Sequence, residues 1–330
     1  MNKIDHSLLF LRSENARMSL KELSRLLKKS PQLLKYNVSM LEREGIIHHP
    51  FYIFDYSYFG LILFRVYFKS SYVREQDKMR LISELTENQY VLAVYELVGE
   101  FDLVVEFAAP NPSKFNKEFK KMTMNPLLKE YKIVLNIVTH IYPRSYLAEN
   151  SQLNNPLPSL YYQKIVGGDR EKDFFKPEEM EIIKVLLHNP TIRYTKLAKE
   201  SGLNIKTAKS ILNNLTKRNI IRGCKYLIDK NKLSIHKNRL FLKLHNLDLE
   251  QESRLLEYLH DNPEVIQLNK TVGDWDMEID MESLDKSRTR YIISKLREEF
   301  SDLITSFNLI EVYDYYKRTY LPEYLFKEEK

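Results

Sequence analysis

The chain has 330 residues, of which 43% are hydrophobic and 29% are charged, as in an ordinary globular protein of two or more domains. No stretch approaches the roughly 18 continuous apolar residues of a membrane helix, and the N-terminus lacks the apolar core of a signal peptide. The single cysteine, Cys224, excludes an internal disulfide and a multi-thiolate metal site. We therefore expect a cytoplasmic protein with no membrane segment, and the net charge of +6 suits a polyanionic partner if it is concentrated in one place.

The sequence repeats itself at a shift of 174 residues. The clearest matches, with the first copy before the second, are Leu41-x4-Ile46-Ile47 with Leu215-x4-Ile220-Ile221, Val98-Gly99-x-x-Asp102 with Val272-Gly273-x-x-Asp276, and Tyr142-x-Arg144-x-Tyr146-Leu147 with Tyr316-x-Arg318-x-Tyr320-Leu321. One register holds over about 130 positions, far longer than the period of roughly 20–50 residues in a solenoid. A duplicated module of two parts is therefore predicted.

The first part of the module, residues 5–47, predicts three short helices. Ser19 and Ser30 are predicted N-caps of the second and third helices, and the third ends at Gly45. The segment 46–54 then predicts two short strands that form a hairpin, or wing. Two helices joined by a tight turn indicate a helix-turn-helix, whose second helix fits the major groove of DNA through its polar face. A helical core with a merely solvated charged face is the alternative.

The second copy repeats this pattern with one difference in the turn. It has Ser201-Gly202-Leu203, where small residues let two helices cross closely, whereas the first copy has Leu27-Lys28-Lys29. Residues 10–56 hold eight Lys or Arg against five Asp or Glu, and the equivalent window 184–230 holds eleven against two. The net charges of the two windows add up to more than the net charge of the whole chain. The positive charge is therefore concentrated in these windows, as expected for nucleic-acid binding. We call each winged helix-turn-helix domain a reader, and we expect the second reader to bind DNA more strongly than the first.

The second part of the module predicts strands and helices in the order βαββαβ, between residues 61 and 142 and again between 240 and 316. This is a ferredoxin-like split motif, an antiparallel sheet with helices on one face. Such a sheet buries its free face by pairing with another, either within the chain or between two chains. Trp275, in the central hairpin of the second copy, is expected to pack in the core.

The order and spacing of these motifs resemble the Lrp/AsnC family of transcription regulators. The residues that carry the resemblance are Gly99-Glu100-Phe101-Asp102 and Gly273-Asp274-Trp275-Asp276 in the hairpins, and Asn15-Ala16-Arg17, Ser19 and Leu41-Glu42-Arg43-Glu44-Gly45-Ile46-Ile47 in the first reader. The resemblance implies transcription regulation by binding double-stranded DNA, as a homo-oligomer or an intrachain pseudo-dimer. It also implies an amino-acid effector between paired sheet domains, and no cofactor.

The predicted fold class is α+β, with two winged helix-turn-helix domains alternating with two ferredoxin-like βαββαβ domains. The predicted segments are a winged helix-turn-helix at 1–56, a ferredoxin-like domain at 57–147, a linker at 148–176, a second winged helix-turn-helix at 177–231 and a second ferredoxin-like domain at 232–325. Asparagine, proline and glycine at 154–159 and 167–169 mark the linker.

Two sets of functional residues are predicted. The expected DNA contacts are Gln32, Lys35, Tyr36 and Arg43 in the first reader and Lys206, Thr207, Lys209, Ser210 and Asn213 in the second. The expected effector contacts are Gly99, Asp102, Gly273, Asp274 and Asp276, because a zwitterion needs acceptors for its ammonium and amide donors for its carboxylate. A purely structural role for the glycines, as tight turns, stays open.

The sequence predicts no enzyme, since it contains no glycine-rich P-loop, HExxH motif or nucleophile elbow, and no catalytic or metal-binding set of residues. Two alternatives remain open. Siroheme decarboxylases resemble the same family and pair such modules, but the sheet strands here offer only Arg65, Arg239 and His245, which predict no cluster. A regulator that has become an adaptor without DNA binding is the other alternative.

Overall fold

A computed structural model describes residues 4–148, 162–245 and 248–327. The turn-forming stretch 154–159, which marks the predicted linker, lies outside the described residues. Within the described part of the chain, the helices are all too short or too polar to cross a membrane.

The first module begins with three helices and continues as a ferredoxin-like unit. Its elements are α1 His6–Glu14, α2 Leu20–Leu27, α3 Pro31–Arg43, β1 Ile47–Phe54, β2 Ile62–Ser70, α4 Glu75–Glu87, β3 Val91–Val98, β4 Leu103–Ala109, α5 Pro112–Met122 and β5 Leu128–Ile141. The predicted caps are confirmed, since Ser19 accepts from the amide of Glu22 in a capping box and Ser30 accepts from the amide of Leu33.

The second module repeats the same order. After a strand β6, Lys164–Gly167, within the predicted linker, its elements are α6 Pro177–His188, α7 Tyr194–Glu200, α8 Ile205–Lys217, β7 Ile221–Ile228, a short helix α9 Lys230–Leu233, β8 His236–Leu244, α10 Leu249–Asp261, β9 Val265–Val272, β10 Met277–Ser283, α11 Lys286–Glu299 and β11 Ile304–Arg318. The predicted βαββαβ order is therefore present in both halves.

The predicted hairpin within each wing is wrong. Strand β1 runs without a turn and pairs antiparallel with β7 of the other module, from Ile47 opposite Ile228 to Phe54 opposite Ile221. The register shifts between His48 and Phe51, so the residues taken for a turn form an irregularity within one strand. The sequence there lacks the Asn-Gly or Gly-Gly pair of a tight hairpin, and the other copy supplies the strand partner instead.

The two wings are bound by equivalent hydrogen bonds at their ends. The amide of Asp55 donates to the carbonyl of Ile220, and the amide of Asp229 donates to the carbonyl of Ile46, both at 2.9 Å. Asp55 and Asp229 are equivalent in the 174-residue repeat, as are Ile46 and Ile220. The two readers are therefore related as the two halves of a dimer, although they belong to one chain.

The eight strands of the two ferredoxin-like units form one closed sheet, in the order β2-β4-β3-β11-β8-β10-β9-β5, and β5 pairs again with β2. The units join twice, through β3 with β11 and through β5 with β9. Strand β6 pairs with the C-terminal part of β5. Closure leaves both units without the free edges that invite aggregation, and it realises the intrachain pairing that the duplication allowed.

Helices pack against each half of this barrel, and aromatic residues fill its interior. Leu81 of α4 and Phe115 of α5 are buried against the first half, and Leu255 of α10 and Ile292 of α11 against the second. Between the halves lie Tyr67, Tyr95, Phe101, Phe241 and Trp275. Trp275 is only 5% exposed, and its ring lies 4.2 Å from that of Phe241, as expected for a core residue.

Candidate nucleic-acid interface

Helices α3 and α8 bury one stripe and expose the opposite face. The buried positions are Leu34, Val38 and Leu41 on α3 and Ala208, Leu212 and Leu215 on α8. The spacing of these residues fixes which side chains remain outside. Of the predicted DNA contacts, Thr207 is half-buried and the others are exposed: Gln32, Lys35, Tyr36, Arg43, Lys206, Lys209, Ser210 and Asn213. Each reader thus presents its predicted contacts along one helix.

The turn before each of these helices contains one residue in the left-handed conformation. Lys28 has a φ of +52°, and its repeat equivalent Gly202 has a φ of +67°. A Cβ at Gly202 would have no atom within 4 Å, so only the backbone conformation favours glycine there. Lys28 adopts the same conformation at a cost of roughly 1–2 kcal/mol. The first copy, which has Lys28 where the second has Gly202, therefore keeps the same turn but with local backbone strain.

The surface charge of the two readers differs less than their sequences suggest. The exposed cations number six in each aligned window: Lys21, Arg25, Lys28, Lys29, Lys35 and Arg43 in the first, and Arg193, Lys196, Lys199, Lys206, Lys209 and Lys217 in the second. The first window also exposes three acids, Glu22, Glu42 and Glu44, whereas the second exposes Glu200 alone. The second reader remains the more positive of the two.

Three other cations of the second reader make ion pairs within the protein. Arg222 lies 3.1 Å from Asp55, and Lys225 lies 2.7 Å from Glu14, in both cases across the two modules. Arg218 pairs with Asp173 and Glu179. Of these charges, which the sequence count assigned to a DNA-binding surface, Arg222 and Lys225 stabilise the pairing of the readers, and Arg218 stabilises the second module itself.

Arg17 connects the two readers directly. Its guanidinium donates to the carbonyls of Pro190 and Ile192, at 3.0 and 2.9 Å, in the turn before α7. It also lies 4.8 Å from the ring centroid of Tyr194, and the Nζ of Lys209 lies 5.2 Å from the same ring. A residue of the first reader thus contacts the helix that supports the second.

A chain of buried charges joins the readers to the barrel. Glu14, which pairs with Lys225 of β7, also lies 3.3 Å from Arg144, and Arg144 lies 2.9 Å from Glu282 of β10. Lys237 of β8 lies 3.3 Å from Glu282. Although burial raises the pKa of Glu282, the positive charges of Arg144 and Lys237 hold it well below its ordinary value. The charges compensate each other in this buried junction.

The predicted effector residues have structural contacts of their own. Asp102 accepts from the amide of Ser70 at 2.7 Å, and Asp276 accepts from the amide of Leu244 at 2.8 Å and from Lys243 at 3.1 Å. Both aspartates therefore bind the strand end of their own unit, while Asp274 is exposed.

The two hairpin glycines lie against the opposite unit. Gly99 has a φ of +141° and Gly273 a φ of +153°. A Cβ at Gly99 would lie 3.1 Å from Ile310, and one at Gly273 would lie 3.1 Å from the carbonyl of Ile133. Close approach of the two halves thus explains both glycines.

The expectation that Arg65 and Arg239 form no cluster is wrong. Both are buried inside the barrel, where Arg65 lies 2.9 Å from Glu106 and 2.8 Å from Glu278. Arg239 lies 2.6 Å from Asp280 and donates to the hydroxyl of Tyr67 at 2.8 Å. Burial disfavours the charge of Arg65, but Glu278 and Glu106 keep its pKa above the ordinary value.

A signal for this cluster was present in the sequence. Arg65 and Glu106 are opposite each other on neighbouring strands, and so are Arg239 and Asp280, their repeat equivalents. An arginine and an acid at matching positions of both copies indicate a cross-strand ion pair. His245, by contrast, is exposed and contacts Thr305 at the end of the barrel.

The histidines and the cysteine suggest no further chemistry. Among residues 4–148, 162–245 and 248–327, no three His, Cys, Asp or Glu side chains are grouped to hold a metal ion. Cys224 is buried in β7, and burial raises the pKa of its thiol to about 12. On β1, His49 is exposed and His48 is half-buried.

Comparisons with known proteins match this architecture in parts and as a whole. A family model for winged helix-turn-helix DNA-binding domains matches residues 1–48 and 179–222. An uncharacterized HTH-type transcriptional regulator of Pyrococcus horikoshii is 29% identical over 114 residues, which cover 34% of this chain and 76% of that protein. A similar regulator of Pyrococcus furiosus is 28% identical over 123 residues, with 37% and 79% covered. The structure of the siroheme decarboxylase NirDL aligns with this chain over 96% of this chain and 93% of the decarboxylase chain, with a TM-score of 0.59 and 12% sequence identity.

The family model and the relatives agree on the winged helix-turn-helix regions. The family model matches both readers, and the regulator relatives each match about one module. At 12% identity, the siroheme decarboxylase shares the fold of both modules and shows nothing further. The chain carries two winged helix-turn-helix regions, each followed by a ferredoxin-like unit, in one polypeptide.

Proposed function

We propose that this chain is a DNA-binding transcription regulator whose two readers act together on one site. The observation that carries the proposal is the pairing of β1 with β7, which holds two exposed helices, α3 and α8, in a fixed relation to each other. A dimer of ordinary regulators presents two readers in the same way. Here one chain would do so without a partner, although the two readers differ in sequence.

The proposed contacts divide by chemistry. Lys35, Arg43, Lys206 and Lys209 are exposed cations that neutralise phosphates and give affinity. Gln32, Tyr36, Thr207, Ser210 and Asn213 carry donors and acceptors that can bind base edges in the major groove. Because the first reader exposes three acids and the second only Glu200, the second reader is expected to contribute more of the affinity.

A footprint of the full chain on the promoter of its own gene tests the proposal. We expect protection of two half-sites on one face of the duplex, separated by about 10 base pairs or a multiple of that, with different sequences in the two halves. Protection of a single half-site would mean that one reader has lost DNA binding. An absence of protection at low salt would contradict the proposal and favour the adaptor.

Assembly beyond one chain is also proposed. The outer surface of β11 exposes Phe307, Leu309 and Tyr313, each between 39% and 45%. A second copy of this chain, which carries the same apolar stripe, would cover it in a symmetric homo-oligomer. Sedimentation that shows only a 39.4 kDa species at micromolar concentration would contradict this.

Amino-acid sensing at the hairpins remains a proposal that competes with structural roles. An ammonium at Asp102 or Asp276 would have to share a carboxylate that already accepts hydrogen bonds from its own unit. A thermal-shift screen of the twenty amino acids tests it. A stabilising amino acid whose effect is lost in Asp276→Ala, with the fold intact, would support sensing, and no shift with any of them would leave the hairpins as turns.

Siroheme decarboxylation is the second candidate, because the likeness in fold extends over both modules. Arg65 and Arg239 would have to be available to substrate carboxylates, but each is already paired with acids inside the barrel. Incubation of the protein with siroheme, followed by absorption spectroscopy, separates the candidates. A change in the spectrum with turnover would favour the enzyme over the regulator.

A further inference from the structure

A cavity of about 150 Å³ lies where the reader pair meets the barrel. The reader side contributes His48 of β1, Asp229 at the end of β7 and Lys230 of α9. The barrel side contributes Arg318, at the end of β11, and Glu282 of β10. The cavity therefore has walls from both functional parts of the molecule.

Two of the acids that line the cavity have their charge compensated by other groups. Glu282 pairs with Arg144 at 2.9 Å and with Lys237 at 3.3 Å. Asp229 accepts from the amides of Asn231 and Lys232, at 3.0 and 3.1 Å, as the N-cap of α9. Neither acid is left to neutralise a further cation.

Two cations on the cavity have only neutral hydrogen-bond partners. The Nζ of Lys230 donates to the carbonyl of Val312, and Arg318 donates to the side chains of Gln267 and Tyr320 at 3.1 and 3.4 Å. In the described ranges, no carboxylate lies within 4.0 Å of either cation, and Asp314, on the wall of the cavity, stays beyond that distance. Burial, followed by the nearby charge of Lys237, lowers the pKa of Lys230 to about 8.

The internal repeat shows that Arg318 lacks the two ion-pair partners of its equivalent. Its equivalent, Arg144, is held by Glu14 and Glu282. The positions equivalent to those acids are His188 and Ala108. The second arginine is thus positioned like the first, in a partly buried site, without the two carboxylates that would neutralise it.

We propose that this cavity binds a small oxyanion, inorganic phosphate or a small carboxylate, between Lys230 and Arg318. The planar guanidinium presents paired N–H donors that match the oxygens of such an anion, and the ammonium adds a second charge. The cavity is smaller than the roughly 300–1000 Å³ that drug-sized ligands occupy, which limits the ligand to a few heavy atoms. A bound anion would contact both the readers and the barrel.

Isothermal titration calorimetry on the full chain without DNA tests this, with inorganic phosphate, sulfate and acetate as probes. We expect one anion per chain, bound about tenfold or more weakly by Arg318→Gln and by Lys230→Met. Preference for phosphate over acetate, or the reverse, identifies the source of the oxyanion. The double variant Lys206→Ala/Lys209→Ala and the variant Arg43→Gln should bind as the unchanged chain does, because they remove only exposed cations of the readers.

Two results would overturn the proposal. One is the absence of binding for all three anions at millimolar concentration. The other is binding that persists in Arg318→Gln and Lys230→Met but disappears in Lys206→Ala/Lys209→Ala, since the anion would then occupy the DNA-binding face. If Arg318→Gln does not fold, Lys230→Met decides, because methionine preserves most of the apolar stem of lysine. Since no DNA is present, failure here leaves the proposed DNA binding untouched.

Discussion

The first and second readers share one backbone plan, but they use their charges differently. Both have three helices and a wing strand, and both hold a residue with positive φ in the turn, Lys28 in one and Gly202 in the other. The second reader has the greater excess of cations, yet Arg222 and Lys225 face acids of the first module. Part of the excess of cations in the second reader therefore forms ion pairs that hold the two readers together.

Among the described residues of the two readers, these ion pairs join acids of the first reader to cations of the second. Glu14 pairs with Lys225, whereas the equivalent positions hold His188 and Phe51, which cannot make an ion pair of that kind. A homodimer would present both arrangements or neither, because its halves are identical. The tandem chain has two different halves, and these contacts favour pairing within the chain over pairing between chains.

The largest effect is expected where the two halves differ most, at Asp55 and Asp229. Asp55 is fully buried, pairs with Arg170 and Arg222 at 3.1 Å and accepts from the amide of Gly167 at 2.9 Å. Asp55→Ala leaves two arginines without their acid and should reduce the free energy of unfolding by about 3 kcal/mol or more. Asp229→Ala removes a helix cap and a partly exposed ion pair with Lys232, at a cost of about 1 kcal/mol.

Urea denaturation of the two variants measures this difference. Each variant is the control for the other, because both remove an aspartate that caps the segment after a wing strand. Equal losses of stability would show that the buried ion pairs at Asp55 contribute nothing beyond the cap.

The next effect concerns DNA affinity. Lys206→Ala/Lys209→Ala removes two exposed cations of α8, and the equivalent Gln32→Ala/Lys35→Ala removes one cation of α3. If each cation neutralises one phosphate, the slope of log K against log salt should fall by about 1.8 and about 0.9, respectively, which corresponds to roughly 60-fold and 8-fold losses of affinity at 0.1 M salt. Fluorescence anisotropy on the footprinted duplex at several salt concentrations checks both values.

The two double variants also test the order of the readers. A larger loss in the first reader would reverse the ranking based on charge. Unchanged affinity and slope in both variants would remove α3 and α8 from the DNA-binding surface.

Local signals predicted the elements well, and long-range pairing was harder. The capping box at Ser19 and the βαββαβ order follow from spacing within a few residues. The alternation of apolar and polar residues in the wing, by contrast, is compatible both with a local hairpin and with one strand that pairs with the other copy. The sequence therefore did not assign β1 and β7 to each other. The acids of Arg65 lie 41 and 213 residues away, and only the matching arginine and acid positions of the two copies indicate the nearer one, Glu106.

The functional residues likewise divide into those that local sequence predicts and those that depend on long-range contacts. The exposure of Lys206, Lys209 and their neighbours follows from the helical period alone. The cavity at Lys230 and Arg318 depends on the pairing of β8 with β11, which brings α9, just before β8, against Val312 of β11. No spacing within either segment indicates that contact.

The smallest effect is expected in the turns that distinguish the two readers. Lys28→Gly relieves the left-handed strain, but glycine also increases the entropy of the unfolded chain, so the net gain should be about 0.5–1 kcal/mol. Gly202→Ala introduces the same strain and should cost about 1 kcal/mol, since its Cβ would meet no other atom within 4 Å. The free energy of unfolding from urea titrations measures both changes. Lys28→Ala is the matched control, because it removes the same exposed charge and keeps a Cβ in the strained conformation. If Lys28→Ala stabilises as much as Lys28→Gly, charge repulsion rather than backbone strain separates the first turn from the second.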